Sequence, residues 1–138
     1  EAIFPGSAEC VRTAIEVLGA ERIGHGVQIA NSPKVLDFVR ERGIPLELCP
    51  TSNWLTNAVP TLDAHPFKKL MNSGIKVTIN SDDPGVFGID LTNEYRVLHE
   101  RLGLSLADFT RCKDIAAVHS FIPLSAKQKV WPRPIKSI

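Results

Sequence analysis

Apolar residues recur along much of the chain at the three- and four-residue spacings that place them on one face of a helix. Residues that favour helix ends flank these segments, such as Ser32 with Pro33 at one start and Gly43 at the matching end. Ser105 with Asp108 forms a capping-box pattern at another start. The pattern therefore predicts helices over residues 7–19, 32–43, 65–74, 91–103 and 105–121.

Short apolar runs lie between these helices and predict strands over residues 22–24, 45–49 and 75–80. The last run is rich in β-branched residues and is the most typical of a strand. Because strands and helices alternate, the strands are predicted to be parallel and joined by helical crossovers, which is an α/β fold. A tail containing Trp131 and two prolines is not expected to be helical throughout.

The composition narrows the class of protein. The chain has 138 residues, 43% hydrophobic and 22% charged, and a formal net charge of +1. Such values exclude a disordered chain and argue against binding nucleic acid through bulk charge. No apolar run approaches the roughly 18 residues of a membrane span, so no membrane association is expected. The three widely spaced cysteines match neither a disulfide framework nor a CxxC site, which predicts a cytoplasmic protein.

Polar residues follow each predicted strand. His25 stands between two glycines after the first strand, residues 50–53 follow the second, and residues 81–85 follow the third. In parallel α/β folds the carboxyl ends of the strands are where active sites form. Each motif also has an ordinary structural interpretation, since a histidine between glycines or an Asp-Asp-Pro-Gly segment suits a turn. His65, His99 and His119 are expected in or beside helices, away from this edge.

Asp82 and Asp83 are adjacent carboxylates at the end of the last predicted strand. Neighbouring side chains on an extended chain point in opposite directions, so the two carboxylates are expected to face different groups. Two anions held close together are costly unless a cation or hydrogen-bond donors offset them. A divalent metal on one aspartate and a donor on the other would do so.

Several ordered motifs together resemble the adenosine deaminase family: RIGHG at 22–26, ELCPTSN at 47–53, HP at 65–66, VTINSDDP at 77–84, LTNEY at 91–95 and AAVHSF at 116–121. The resemblance covers about residues 7–122. It implies a zinc-dependent (β/α)₈ TIM barrel of the metallo-dependent hydrolase type that converts adenosine to inosine and ammonia. Residues 1–138 would be one partial barrel domain, the C-terminal part with the last three to four β/α units and a divergent tail from about residue 123.

The resemblance also implies roles for single residues. Asp82 would be a zinc ligand, Asp83 would bond N7 of the purine, and His25 would orient the hydroxide that attacks C6. Glu1 would be the proton donor, as the last residue of the family's His-Ala-Gly-Glu motif. The remaining zinc ligands would lie in a part of the barrel that precedes this chain.

Two classes of function follow from the resemblance. In the first, the chain is the C-terminal fragment of an adenosine deaminase, inactive by itself, whose ligand is a small-molecule purine nucleoside or base. A fragment of an adenine deaminase or of an N6-modified AMP deaminase is the close alternative. In the second class, the chain is a non-catalytic binding or assembly module, since a partial barrel leaves strand edges open. Its partner would then be the N-terminal half of the barrel or a second copy of the chain.

Overall fold

The computed structural model describes residues 4–131, so Glu1 and the prolines of the predicted non-helical tail lie outside the described residues. Each predicted helix and strand is present, and several short helices occur in addition. In chain order the elements are α1 Ser7–Glu16, β1 Ile23–Gly24, a 3₁₀ helix Val27–Asn31, α2 Pro33–Arg42, β2 Leu46–Leu48, α3 Pro50–Leu55, α4 Phe67–Asn72, β3 Val77–Ile79, α5 Pro84–Phe87, α6 Leu91–Leu102, α7 Leu106–His119 and α8 Leu124–Val130.

The predicted ends are confirmed at both ends of α2, at the end of α6 and at the start of α7. Ser32 is the N-cap of α2, and Gly43 ends that helix in the left-handed conformation at φ 63°. Gly103 ends α6 in the same way. The Ser105 hydroxyl accepts from the Asp108 N–H, while the Asp108 carboxylate accepts from the Ser105 N–H, which is the predicted capping box of α7.

The prediction was wrong about the end of α1 and about the segments that follow two strands. Helix α1 ends at Glu16, and Leu18, which lies inside the predicted helix 7–19, is 78% exposed. The residues after β2 and after Asp83 form helices α3 and α5. Pro50 and Pro84 are the first residues of these helices, where the fixed φ of proline suits helix and its missing N–H costs nothing.

The three strands form one parallel sheet in the order β1-β2-β3. Ile23 lies opposite Leu46, and Leu48 lies opposite Ile79. The pairing continues past the strand ends, because the His25 N–H donates to Glu47 O at 2.9 Å and the Asn80 N–H donates to Leu48 O at 3.0 Å. The carboxyl ends of the strands therefore lie side by side at one edge, as the alternation of strands and helices predicts.

The hydrophobic core lies between this sheet and the helices that cover it. Helix α7 packs on β3, and α1 packs on α2. The fully buried residues of the core include Val35, Val39, Leu46, Leu48, Phe67, Leu70 and Val77. Among residues 4–131, no helix is long and apolar enough to cross a membrane.

Glu94 is a fully buried acidic residue that ties α6 to the segment after β2. One of its side-chain oxygens accepts from the Thr51 N–H at 2.9 Å, and the other accepts from the Asn93 side-chain amide at 3.1 Å. The Thr51 N–H belongs to the first turn of α3, whose N–H groups have no partner within the helix. Glu94 therefore satisfies a buried donor that α3 cannot satisfy itself.

Replacing Glu94 with alanine is expected to destabilise the fold by about 1–3 kcal/mol, because a buried N–H is left without an acceptor and a cavity forms. The free energy of unfolding from urea denaturation measures this loss. Glu100→Ala, on the exposed face of the same helix, is the matched control and should change stability by less than about 0.5 kcal/mol. Equal stability of the two variants would contradict the role given to Glu94.

Candidate active site

Side chains from the ends of all three strands meet at the carboxyl edge of the sheet. The Ser52 hydroxyl donates to Asp82 Oδ2 at 2.6 Å, and His25 Nε2 lies 3.6 Å from the same oxygen. The side-chain nitrogen of Asn53 lies 2.9 Å from His25 Nδ1. His25 and Asp82, both candidates from the sequence, are therefore neighbours in the fold although 57 positions separate them along the chain.

Both of these candidates have a strained backbone conformation. His25 has φ 63° and Asp82 has φ 61°, in the left-handed region that residues other than glycine rarely adopt. Such a conformation costs on the order of 1 kcal/mol per residue and persists only where the surrounding structure enforces it. The strain at Asp82 also shows that the extended-chain argument for the two aspartates was wrong, since β3 ends at Ile79 and the backbone turns before Asp82.

Helix α3 presents Ser52 and Asn53 to the cluster, and both are almost completely buried. The sequence motif marked them as polar residues after a strand, but it predicted no helix there. A six-residue helix, Pro50–Leu55, brings both of these adjacent side chains into the cluster. One feature of the sequence could have indicated that Ser52 and Asn53 belong to the cluster. Both follow an apolar strand directly, and polar side chains that follow a buried strand need hydrogen-bond partners.

His65 contributes to the site through Asn53, so the expectation that it lies away from this edge was wrong. Its predicted place beside a helix start is confirmed, since α4 begins two residues later and the Phe67 N–H donates to His65 Nδ1 at 3.1 Å. His65 Nε2 lies 2.9 Å from the side-chain oxygen of Asn53. Burial lowers the pKa of His65 to about 4, so the ring is neutral at neutral pH.

The other two histidines lie in helices, as predicted, and outside this cluster. His99 Nδ1 lies 2.9 Å from Leu104 O near the end of α6. His119, the last residue of α7, lies beside Lys76 with 3.3 Å between their side-chain nitrogens. Neither contact involves the strand ends that hold His25 and Asp82.

Asp83 occupies a different position from its neighbour. It is exposed, and its Oδ1 accepts from the Val86 N–H at 3.2 Å, which caps the first turn of α5. The turn role that the sequence offered for Asp-Asp-Pro-Gly is thus present at Asp83. A role of Asp83 in purine binding stays a prediction.

An open cavity of about 380 Å³ lies in front of the cluster, and His25, Asp82 and Glu47 are in its wall. The Glu47 carboxylate is paired with Arg22 at 3.2 Å. Burial lowers the pKa of His25 from its usual value near 6.5, and the nearby charge of Asp82 opposes this shift only in part. His25 is therefore neutral at neutral pH and can place either a donor or an acceptor at the cavity.

The described residues offer only part of a metal site. No group of three or more His, Cys, Asp or Glu side chains able to hold a metal ion occurs within residues 4–131. Asp82 is a partly exposed carboxylate that faces the cavity, which suits one hard-oxygen ligand. Asp82 therefore belongs to no such group within residues 4–131.

Comparisons with known proteins agree with these features. The sequence model of the family described as adenosine deaminase matches residues 5–136. The chain is 42% identical over 118 residues to an adenosine deaminase of Plasmodium falciparum, covering 86% of the chain and 32% of that protein. It is 54% identical over 106 residues to an aminodeoxyfutalosine deaminase of Streptomyces coelicolor, covering 75% of the chain and 27% of that protein. The chain thus spans about a third of the length of the curated relatives it matches.

Solved structures show the same fold. An adenine deaminase from Arthrobacter aurescens aligns with a TM-score of 0.86 at 30% identity, over 93% of this chain and 39% of its own. An N6-methyl-AMP deaminase from Arabidopsis thaliana aligns with a TM-score of 0.78 at 27% identity, over 93% and 36%. An amidohydrolase from a Burkholderia species, determined with bound Zn, aligns at 0.78 and 25% identity, over 88% and 34%.

These likenesses confirm the predicted fold class, the C-terminal part of a (β/α)₈ barrel, of which the three parallel strands are a segment. Together with the family match over almost the whole chain, they also confirm the resemblance drawn from the motifs. The chain belongs to the adenosine deaminase family.

Proposed function

We propose that this chain is the C-terminal part of a zinc-dependent enzyme that hydrolyses adenosine to inosine and ammonia, and that it is inactive alone. The observation that carries the proposal is the contact between His25 and Asp82 beside an open cavity at the carboxyl edge of a parallel sheet. The likeness to purine deaminases supports the class of reaction. Adenosine is the first choice of substrate because the Plasmodium relative is named an adenosine deaminase.

In this proposal Asp82 supplies one zinc ligand, and the other ligands belong to the rest of the barrel. When bound, zinc would supply the acidity that activates water at neutral pH. The Ser52 hydroxyl, 2.6 Å from Asp82 Oδ2, fixes the orientation of the carboxylate and leaves its other oxygen for further contacts.

His25 is proposed to orient the attacking oxygen and to stabilise the charge that develops as the oxygen adds to C6. Asp83 is proposed to bond N7 of the purine, and Glu1 to donate the proton to the ring. Asp83 now caps α5 through one oxygen, so purine binding would use the other oxygen or exchange the contact. The two consecutive carboxylates would then contact different groups, Asp82 the side of the reacting oxygen and Asp83 the purine base.

The related structures favour other purines as alternative substrates. The relatives include an adenine deaminase, an N6-methyl-AMP deaminase and an aminodeoxyfutalosine deaminase. Residues outside this chain would line the rest of the pocket and select among them. A cytoplasmic location also stays a proposal.

A non-catalytic assembly module is the second proposed function, favoured by the open edges of the sheet. Within the described residues β1 and β3 each pair on one side only, so each presents unpaired backbone groups. The partner would be the N-terminal half of the barrel or a second copy of the chain.

In a complete protein that contains this chain, Asp82→Ala should lose bound zinc and nearly all turnover, because a charged ligand is removed. Elemental analysis of the purified variant measures the metal content. Asp37→Ala, an exposed aspartate of α2 whose carboxylate pairs with Arg40 of the same helix, is the control and should keep both. Stoichiometric zinc in Asp82→Ala would remove Asp82 from the ligand set.

In the same complete protein, His25→Ala should keep zinc but lower kcat by roughly 10²–10³-fold, as expected when a transition-state donor is lost. His99→Ala, a histidine outside the cluster, serves as the comparison and should leave kcat unchanged. An unchanged kcat in His25→Ala would return His25 to the role of a turn residue.

The 138-residue chain alone is expected neither to hold zinc tightly nor to form inosine from adenosine. The reason is that the described residues supply one candidate ligand, whereas catalytic zinc sites use three or more protein ligands. The measurement is an inosine-formation assay with added zinc, with and without a separately expressed N-terminal half of the barrel. Turnover by the chain alone that Asp82→Ala abolishes would overturn this prediction, and recovery with the added half would support reassembly.

A further inference from the structure

Three hydrogen bonds in series connect the backbone at the start of α4 to the ring of His25. The Phe67 N–H donates to His65 Nδ1 at 3.1 Å. His65 Nε2 lies 2.9 Å from the side-chain oxygen of Asn53. The side-chain nitrogen of Asn53 lies 2.9 Å from His25 Nδ1. The series joins three segments that are far apart along the chain.

The first bond decides the direction of the second. A backbone N–H can only donate, so His65 Nδ1 must be the acceptor. A neutral imidazole carries one proton, which is therefore on Nε2, and Nε2 donates to the Asn53 oxygen. Burial keeps His65 neutral well below pH 7, since it lowers the pKa to about 4.

The second bond decides the orientation of the Asn53 amide. Because its oxygen accepts from His65, its NH₂ group faces His25 and donates to Nδ1. The reversed amide would turn an N–H toward His65 Nε2 and require both ring nitrogens of His65 to accept. No neutral imidazole can do that. The Phe67 N–H therefore fixes which end of the Asn53 amide is the oxygen and which is the NH₂ group.

We propose that His65 and Asn53 are positioning residues that keep Nδ1 of His25 an acceptor, so that the proton of this ring is on Nε2. Nε2 lies 3.6 Å from Asp82 Oδ2, and His25 borders the cavity. His25 therefore presents an N–H donor at the proposed reaction centre, where it stabilises an oxygen rather than removing a proton. The consequence for catalysis rests on the proposed function, whereas the tautomer itself does not.

Burial of Asn53 and His65 restricts these hydrogen bonds to one arrangement. Asn53 is fully buried and His65 is 4% exposed, so water offers neither side chain an alternative partner. An unmade hydrogen bond in such surroundings costs roughly 1–3 kcal/mol. The preference that begins at the Phe67 N–H is therefore transmitted to His25, which is itself only partly buried.

The test is ¹⁵N NMR of the histidine side chains in the 138-residue chain at pH 7.5, without zinc or substrate. The proposal requires His25 Nδ1 to show the chemical shift of an unprotonated nitrogen and Nε2 that of a protonated one, with the same pattern in His65. A His25 protonated at Nδ1, or averaged between both forms, would overturn it. This measurement needs no substitution, so it does not depend on the folding of a variant.

Asn53→Asp should reverse the tautomer while preserving the shape of the side chain. A carboxylate still accepts from His65 but has no donor for His25, so His25 Nδ1 should become protonated in order to donate. Asn72→Asp, which makes the same change at an exposed position in α4, is the matched control and should leave the His25 spectrum as in the wild type. An unchanged His25 spectrum in Asn53→Asp would contradict the relay.

A kinetic measurement in the complete protein links the tautomer to turnover. Asn53→Asp should lower kcat by about 10²-fold or more with little change in KM, because a histidine held in the wrong tautomer loses the group that acts in the transition state. A reversed tautomer with unchanged kcat would refute the catalytic consequence alone and leave the positioning role intact. A wild-type tautomer other than Nε2–H would refute the relay whatever the enzyme does.

Discussion

Parallel pairing of three short strands is the constraint on which the site depends. The strands are only two or three residues long, yet their backbone hydrogen bonds continue to His25 and Asn80, one step past the strand ends. Because parallel strands all end on the same side, residues from three separate segments arrive at one edge. A slip of one residue in this register would turn the following side chains away from the cavity.

Asn53 has the central place among the polar groups at that edge. It contacts His25 on one side and His65 on the other, and it is fully buried. Neighbouring Ser52 contacts Asp82 in the same way, so two adjacent residues of α3 hold both candidate catalytic groups. Their positions depend on α6 as well, because Glu94 accepts from the first turn of α3. Buried hydrogen bonds, in addition to apolar packing, therefore hold the polar groups at this edge in place.

The described residues hold only part of a metal site. One carboxylate with a hydroxyl and an imidazole nearby cannot hold a divalent ion as tightly as three or four ligands can. The sheet edges at β1 and β3 point to the same conclusion, since barrels close by pairing such edges. The positions of His25 and Asp82 are thus set by contacts within this chain, whereas metal affinity and substrate choice are proposed to depend on the rest of the barrel.

The sequence by itself determined the alternation of strands and helices, most helix ends, the family, and His25 and Asp82 as candidates. The family came from the resemblance of several ordered motifs, and the other conclusions rest on local signals: capping residues, β-branched runs and polar residues after strands. Tertiary structure alone decided that Ser52 reaches Asp82 and that Asn53 and His65 reach His25. The physical reason is that the hydrogen bonds of the site join segments that are 12 to 30 positions apart along the chain. No local pattern of residue types carries that information.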